Sequence, residues 1–565
     1  MTALLSIKGL NVRFGQQQAV NSLDLTLARG QMLALVGESG CGKSATALSI
    51  LGLLPDYANI GGEINFEGQN LLTLPARQLR QLRGNDISMV FQEPMTSLNP
   101  VHTVGDQIIE SLSVHLGLSR SLARKRAIEL LELVELPSPE IRVDYYPHQL
   151  SGGQRQRVMI AMAVACEPKL LIADEPTTAL DVTVQGKIMA LIDTLRKSMS
   201  MSVLMISHDL GLMSQWADEV AVMFGGRKLE QNVTAELFSH PKHEYTRGLM
   251  AASLHYQQNV HYRQRCLTEI RAQKVQGEPV FSLFTPPTLS FPSLDETFDT
   301  RPLLEARHLH VSFQQSGQSV DAVSDVNFTL FKGETLGLVG ESGCGKSTLS
   351  RTLLRLLTPD HGQILLNGTD IVPLPESQLT PLRSKVQMIF QDPFASLNPR
   401  HTVKGILDRV LRVNGVKDKH LRNQRILTII DRVGLPQHSL DRYAHEFSGG
   451  QRQRIGIARA LITQPELVVC DEAVSALDVS IQAQILNLLL ELKKEFGLSY
   501  LFISHNLDVV RYMADRVLVM QKGKIVESGE VQNVWQRPQH AYTRELLSSV
   551  GKYQFSDEKQ QRESA

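Results

Sequence analysis

Gly37-Glu38-Ser39-Gly40-Cys41-Gly42-Lys43-Ser44 decides the fold of this chain, and it occurs twice: the same eight residue types return as Gly340-Glu341-Ser342-Gly343-Cys344-Gly345-Lys346-Ser347. Both copies fit the phosphate-loop pattern G-x-x-x-x-G-K-[ST]. A loop whose backbone N–H groups all turn inward can cradle phosphates, and glycines let it turn that tightly. The positive end of the following helix adds to the attraction. Lys43 and Lys346 are then set to reach the β- and γ-phosphates, and the hydroxyls of Ser44 and Ser347 to ligate Mg²⁺. The flanks agree in both copies. Leu33-Ala34-Leu35-Val36 and Leu336-Gly337-Leu338-Val339 read as the buried strand in front, Thr46 to Leu51 and Leu349 to Leu357 as the helix behind. Cys41 and Cys344 each stand at a helix N-terminus beside a lysine, a setting expected to lower a thiol pKa. The plainer reading is a small residue filling a tight turn.

Outward from these loops the whole chain repeats. Phe14 returns as Phe313, Lys43 as Lys346, Gln92 as Gln391, Ser151 as Ser448, Glu175 as Glu472 and His208 as His505. The separation drifts between 297 and 303 positions, as it does when loops vary on a shared scaffold. Even the ends match, His243-Glu244-Tyr245-Thr246-Arg247 against His540-Ala541-Tyr542-Thr543-Arg544. The expected organisation is one domain over 1–254, a linker over 255–302, the same domain over 303–548 and a polar tail over 549–565. Pro279, Pro286, Pro287, Pro292 and Pro302 argue against regular structure in the second half of the linker. Phe281, Phe284, Phe291 and Phe298 are too apolar for a solvated tether, so partial docking on a domain face is expected.

Within each repeat, apolar strands alternate with amphipathic helices, which means an α/β domain with a mostly parallel sheet covered on both faces. Ligands bind such sheets at the carboxyl ends of the strands. Lys169 to Asp174 and Leu467 to Asp471 are buried strands ending in acids, and Asp174-Glu175 and Asp471-Glu472 set two carboxylates side by side there. The first acid of each pair can hold Mg²⁺ through water, and the second can orient or deprotonate an attacking water. Ser202 to His208 and Tyr500 to His505 are strands ending in histidine, where a γ-phosphate contact is expected rather than a satisfied core residue. Gln92 and Gln391 close the short strands Met89-Val90-Phe91 and Met388-Ile389-Phe390 and can coordinate Mg²⁺ or the lytic water. Phe14 and Phe313 either stack on an adenine or pack in the core.

Leu150-Ser151-Gly152-Gly153-Gln154-Arg155-Gln156-Arg157 is matched by Phe447-Ser448-Gly449-Gly450-Gln451-Arg452-Gln453-Arg454. Ser-Gly-Gly opening a helix is a second anion-binding nest in each repeat. One domain does not need two nests for one nucleotide, whereas two domains facing head-to-tail can each offer the second nest to the neighbour's triphosphate.

On these residues the chain resembles a pair of nucleotide-binding domains of ATP-binding cassette transporters fused in tandem. The resemblance implies P-loop cassettes, each with a mostly parallel core sheet, a small antiparallel β subdomain and a helical subdomain. It implies ATP and Mg²⁺ as ligands and ATP hydrolysis as the reaction. Walker A would comprise Gly37, Ser39, Gly40, Cys41, Gly42, Lys43, Ser44 and Ala45, and Gly340, Ser342, Gly343, Cys344, Gly345, Lys346, Ser347 and Thr348. The signatures would be Ser151, Gly152, Gly153 and Gln154, and Ser448, Gly449, Gly450 and Gln451. Phe14 and Phe313 would line the nucleotide. Ser44, Gln92 and Asp174, with Ser347, Gln391 and Asp471, would surround the metal. Glu175, Glu472, His208 and His505 would be catalytic, and Asp181 and Asp478 would end the D-loops.

Gln92-Glu93-Pro94-Met95-Thr96-Ser97-Leu98-Asn99-Pro100, its copy from Gln391 to Pro399 and the Tyr-Thr-Arg ends are similar to the oligopeptide/dipeptide/nickel importers. Fusion of both cassettes is similar to the microcin C-type and glutathione-type members, the first more so. The implied partners are two integral-membrane permease subunits and a periplasmic or extracellular binding protein, with the chain peripheral on the cytoplasmic face of the cell membrane. Three departures stand out: Ala45 against Thr348, Ala473 against Pro176, and Asn506 against Asp209. None removes a phosphate, metal or water ligand. Relatives can carry an iron–sulfur cysteine cluster after the cassette; Cys266 is the linker's one cysteine, so no cluster is expected.

Composition narrows the alternatives. In 565 residues, Lys+Arg and Asp+Glu are equal at 58 each, leaving no bulk charge for nucleic acid. Five cysteines without paired spacing point to a reduced compartment. No apolar run approaches the ~18 residues that span a bilayer, and the N-terminus lacks the basic start of a signal peptide. The rival function is a soluble tandem cassette acting on the ribosome. Such proteins join their cassettes by a long charged helical hairpin, and the Pro- and Phe-rich 255–302 segment has no such charge run.

Overall fold

The computed structural model describes residues 3–178, 180–257, 260–275, 278–292, 301–315, 318–475 and 477–549. Phe298 and the tail beyond 549 lie outside them. The described residues fall into two compact units, one within 1–180, 184–250 and 270–282, the other within 181–183, 251–269 and 283–549.

In the first unit, β1 (Ala3–Phe14), β2 (Gln17–Ala28), β4 (Ala58–Phe66) and β5 (Gln69–Asn70) form an antiparallel sheet in the order β2-β1-β4-β5. The larger sheet has β3 (Met32–Gly37), β6 (Ile87–Val90), β7 (Leu170–Asp174), β8 (Ser202–Ser207), β9 (Glu219–Phe224) and β10 (Arg227–Val233), ordered β10-β9-β3-β8-β7-β6. All its pairings are parallel except β9 with β10. Every residue of β3, β7 and β8 is buried, which is why these strands read as unbroken apolar runs rather than alternating ones. Three helices, Val104–Leu116, Arg120–Leu133 and Gly152–Val164, make the helical subdomain.

Between the repeats, β11 (Glu269–Val275) and β12 (Glu278–Phe284) form a two-stranded sheet. This corrects the expectation that the prolines keep the linker's second half irregular. In a two-stranded sheet each strand has one unpaired edge, so Pro279 has a place where it forfeits no ladder bond. Docking does occur. Phe281 is buried against Phe224, Tyr245 and His243, at centroid separations of 4.8, 5.0 and 5.6 Å. Earlier in the linker, Tyr262 is fully buried in the second unit, its hydroxyl donating to Asp515 at 2.8 Å and accepting from Lys493 at 3.1 Å. Phe291 packs on the Tyr262 ring at 5.0 Å. Asn487 clamps the Leu267 backbone, accepting its N–H at 3.0 Å and donating to its carbonyl at 2.9 Å.

The second cassette repeats both sheets. β13 (Pro302–Gln315), β14 (Gln318–Phe331), β16 (His361–Leu366) and β17 (Thr369–Asp370) are ordered β14-β13-β16-β17. β15 (Thr335–Val339), β18 (Val386–Ile389), β19 (Leu467–Asp471), β20 (Ser499–Ile503), β21 (Arg516–Gln521) and β22 (Lys524–Glu530) are ordered β18-β19-β20-β15-β21-β22. The helix expected over Leu349 to Leu357 spans Lys346–Leu353 instead. Arg355 turns left-handed at φ 51° and the Leu356 N–H reaches back to the Arg351 carbonyl at 2.9 Å, the six-to-one closure that ends helices. Gly52 makes the same stop in the first cassette at φ 58°.

Candidate functional site

Each phosphate loop joins a buried strand to a helix that begins at its lysine. Gly42 and Gly345, at φ 102° and 110°, cap those helices in the left-handed region. A Cβ on either would lie 2.3 Å from the Ala19 carbonyl oxygen or 2.1 Å from that of Ala322. No other residue fits. Lys43 is buried and donates from Nζ to the Gly37 and Glu38 carbonyls at 2.7 and 2.9 Å. Lys346 repeats this with Gly340 and Glu341 at 2.7 and 2.8 Å. The ammonium therefore sits inside its own loop, at the mouth a phosphate would enter. Ser39, Gly40, Ser342 and Gly343 are exposed at the loop tips, Ser44 and Ser347 on the first helical turn, with Ala45 and Thr348 half-buried behind them.

The Cys344 thiol departs from expectation. Cys41 and Cys344 are buried, and burial pushes the Cys344 thiol up despite Lys346 beside it. The cause is packing: Cys344 Sγ lies so close under Gly340 that a Cβ there would stand 2.8 Å from it. A desolvated thiol gains less from a nearby charge than it loses from leaving water.

Asp174 and Asp471 end their strands, and the next residues, Glu175 and Glu472, turn left-handed at φ 48° and 50°. That conformation costs a non-glycine residue about 1 kcal/mol. It aims each glutamate back into a cage within its own cassette. Glu175 Oε2 accepts from Gln92 Nε2 at 2.8 Å and Thr178 Oγ at 2.9 Å, with His208 Nδ1 at 3.3 Å. Glu472 Oε2 accepts from Gln391 at 2.6 Å, with His505 Nδ1 at 3.3 Å. Burial pushes the Glu175 carboxyl up, but the His208 hydrogen bond and charge, Lys43 and Thr178 together outweigh it and hold it at about 2. Glu472 is lowered by the same balance, with His505, Lys346 and Ser475 overcoming burial.

The neighbouring aspartates go the other way. Burial raises Asp174 and Asp471, only partly offset by the hydroxyls of Ser44 and Ser347. In each, Oδ1 is buried with no hydrogen-bond partner. An unpartnered buried carboxylate oxygen beside a serine hydroxyl suits a hard, oxygen-seeking cation, so Mg²⁺ fits this donor set. A pair of adjacent acids with pKa values pushed apart is the pattern of divided roles.

Ser151 and Ser448 cap the helices Gly152–Val164 and Gly449–Leu461 through reciprocal capping boxes. Ser151 Oγ accepts from the Gln154 N–H at 3.3 Å while the Ser151 N–H donates to Gln154 Oε1 at 3.1 Å; Ser448 and Gln451 do the same at 3.4 and 3.1 Å. So the serine and glutamine of the motif shape the nest, and Gly152, Gly153, Gly449 and Gly450 supply its first-turn N–H groups. The arginines beyond are not a solvated face: Arg452 is buried and holds the Ala444 and His445 carbonyls, each at 2.9 Å.

Phe14 packs edge-on against Tyr57, with ring centroids 6.1 Å apart, and Phe313 is 45% exposed on β13. Sequence reasoning missed Thr178, Ser475 and Tyr542. Thr178 and Ser475 follow the glutamates by three residues in both repeats, a signal that was available. The Tyr542 hydroxyl accepts the Glu341 N–H at 3.0 Å, tying the Tyr-Thr-Arg end to the phosphate loop.

Two mostly parallel sheets, each ending in a phosphate loop, a buried aspartate with an unpartnered oxygen and a caged glutamate, define a tandem-cassette nucleoside triphosphatase. The ABC transporter family matches residues 20–178 and 323–475, and the oligopeptide/dipeptide transporter C-terminal region matches 229–274 and 526–564. The chain belongs to the ABC transporter family. It is 46% identical to the glutathione import ATP-binding proteins GsiA of Escherichia coli (strain K12) and Shigella dysenteriae serotype 1 (strain Sd197), over 99% of this chain and 91% of each relative. The Salmonella paratyphi A protein of the same name is 46% identical over 97% and 89%. The chain is thus an ATP-hydrolysing importer subunit that works with membrane permease and substrate-binding partners, and the ribosome-acting alternative is set aside. Among the described residues, no helix is long and apolar enough to cross a membrane.

Proposed function

We propose that the chain drives import of short peptides or peptide-like compounds, with a glutathione-like tripeptide as the cargo its relatives support best. It would sit peripherally on the cytoplasmic face of the membrane beneath two permease subunits, which a periplasmic or extracellular binding protein supplies with cargo. Lys43 and Lys346 bind the triphosphate. Ser44, Gln92 and Asp174, and Ser347, Gln391 and Asp471, would hold Mg²⁺, whose chemistry there would be to neutralise charge on the phosphate oxygens. Glu175 and Glu472, ionised at neutral pH, orient the attacking water, and His208 and His505 hold them in place.

One observation carries this reading: the Gln–Glu–His cage is closed in both cassettes, with Gln–Glu distances of 2.8 and 2.6 Å and His–Glu distances of 3.3 Å in each. Among the described residues each cassette keeps its lysine, aspartate and Gln–Glu–His cage, which supports turnover at both sites. Glu175→Gln and Glu472→Gln should each lower ATP turnover, and the double variant should retain bound ATP with turnover near zero, a loss in the ~10²–10⁴-fold range for a water-positioning group. Unchanged turnover in Glu472→Gln would show the second site to be idle. Uptake of labelled glutathione and dipeptides by cells with and without the chain tests the cargo.

A further inference from the structure

A cleft of about 560 Å³ opens on the second cassette between the loop Arg400–Thr402, one face of the helix Val403–Val413 and the Tyr443 ring. Arg400, Arg409 and Arg412 line it against a single carboxylate, Asp408. That carboxylate is already committed, to Arg412 and to Arg422, each at 2.6 Å. Arg400 and Arg409 are exposed and, among the described residues, form no ion pair. The corresponding place on the first cassette has the opposite character. Its helix Val104–Leu116 buries the matching positions, Val104, Gln107, Ile108 and Leu112 against Val403, Ile406, Leu407 and Leu411, so the register is secure. On the outward face, Arg400 is replaced by Val101, Gly405 by Asp106, Arg409 by Glu110 and Arg412 by Ser113. Asp106 meets Arg120 at 3.5 Å in a pair exposed on both sides, too solvated to cancel its charge.

We propose that the second cassette's arginine cleft receives an acidic segment of one permease subunit, and that Asp106 and Glu110 repel that segment from the first cassette, so that each cassette takes only its own permease. This rests on the importer reading. A rim of charge sets partner choice and register more than affinity, and a like charge at the wrong site is the cheaper half of specificity. An anionic lipid surface would call for positive charge on both cassettes; opposite signs at matched positions call for two different protein segments. The location also bears on catalysis. The Arg400 N–H is held by Asn398 Oδ1 at 3.0 Å, on the same short segment whose Gln391 bonds Glu472. A partner seated in the cleft leans on the segment that positions the glutamate.

The test uses the full-length tagged chain and the membrane subunits that co-purify with it. Arg400→Glu with Arg409→Glu should leave the ATPase of the isolated chain unchanged and reduce recovered permease at least tenfold. Lysine placed in an acidic cytoplasmic loop should restore recovery in one permease subunit and not in the other. Undiminished recovery with the double variant overturns the proposal. So does binding of phosphatidylglycerol vesicles, without permease, that the double variant abolishes while permease recovery stays intact, since the cleft would then be a lipid site. A wild-type chain that brings down no membrane subunit overturns the importer reading itself.

Discussion

Glu175→Gln should do more than stop turnover: in the nucleotide-free protein it should weaken the first cassette at neutral pH. The Glu175 carboxyl is held at about 2 against an ordinary 4.5, because His208, Lys43 and Thr178 overcome the cost of burial. At 1.36 kcal/mol per pKa unit, that difference corresponds to about 3 kcal/mol of stability at pH 7. The group is only 12% exposed, so solvent screening takes little of it. The sign is fixed by the direction of the shift. A carboxyl lowered in the folded state adds stability above its unfolded pKa, and loses it as the pH falls toward its folded value. By linkage about half is gone near pH 3. The neutral amide cannot carry this contribution at any pH. For a unit of this size, about 3 kcal/mol is a drop of about 6–12 °C in melting temperature. Differential scanning calorimetry of parent and variant without nucleotide, at pH 7 and at the lowest pH where both stay folded, reads it directly. A variant melting within about 2 °C of the parent at pH 7 refutes the electrostatic cage. A gap that does not narrow on acidification would assign the loss to packing instead.

Three further outcomes follow from the geometry. Burial raises the thiols of Cys166, Cys344 and Cys470, and Cys166 is the one not fully covered; maleimide at pH 7 should therefore label slowly and reach Cys166 before Cys344, with early Cys344 adduct by mass spectrometry as the contrary result. Gly345→Ala places a methyl 2.1 Å from the Ala322 carbonyl oxygen at φ 110°, strain of order 1–3 kcal/mol before any clash, so the second cassette should lose nucleotide binding by filter assay while the first retains it. Tyr262→Phe strips a hydroxyl shared by buried Asp515 and Lys493; loss of about 1–3 kcal/mol should show as faster proteolysis within 255–269, and parental resistance there would mean that the segment is held by apolar packing alone.

The site was largely legible because its chemistry is local in sequence. Phosphate loops, strand-end acids and Ser-Gly-Gly helix starts are short patterns whose residues meet within a turn or at adjacent strand ends. Gln92 and His208 were legible too, since a parallel sheet gathers the carboxyl ends of its strands in one place. The thiol expectation failed because charge at a helix end can be read from sequence and desolvation cannot. The linker strand failed for a similar reason: proline excludes a residue from the middle of a sheet, but nothing local tells that a hairpin has only edges. Docking of the linker did leave a trace. Where the first cassette has Ala190, the second has Asn487, which is 2% exposed and holds Leu267. A buried polar residue in one repeat and a small apolar one in the other marks a place where something else must supply hydrogen bonds.

That docking has a consequence for synthesis. Tyr262 meets Lys493 and Asp515, which lie 231 and 253 positions further along the chain. At 5–20 residues per second, a ribosome delivers the tyrosine roughly 10–50 seconds before its partners exist. Phe281, although it comes later, finds Phe224 and Tyr245 already made. The two halves of the linker thus mature out of order: the hairpin can close the first cassette at once, while the preceding segment, with Tyr262 and Leu267 bare, waits for the second. For that interval the nascent chain displays a ready substrate for chaperones and proteases, and a fragment begun at Leu303 would never acquire its missing wall.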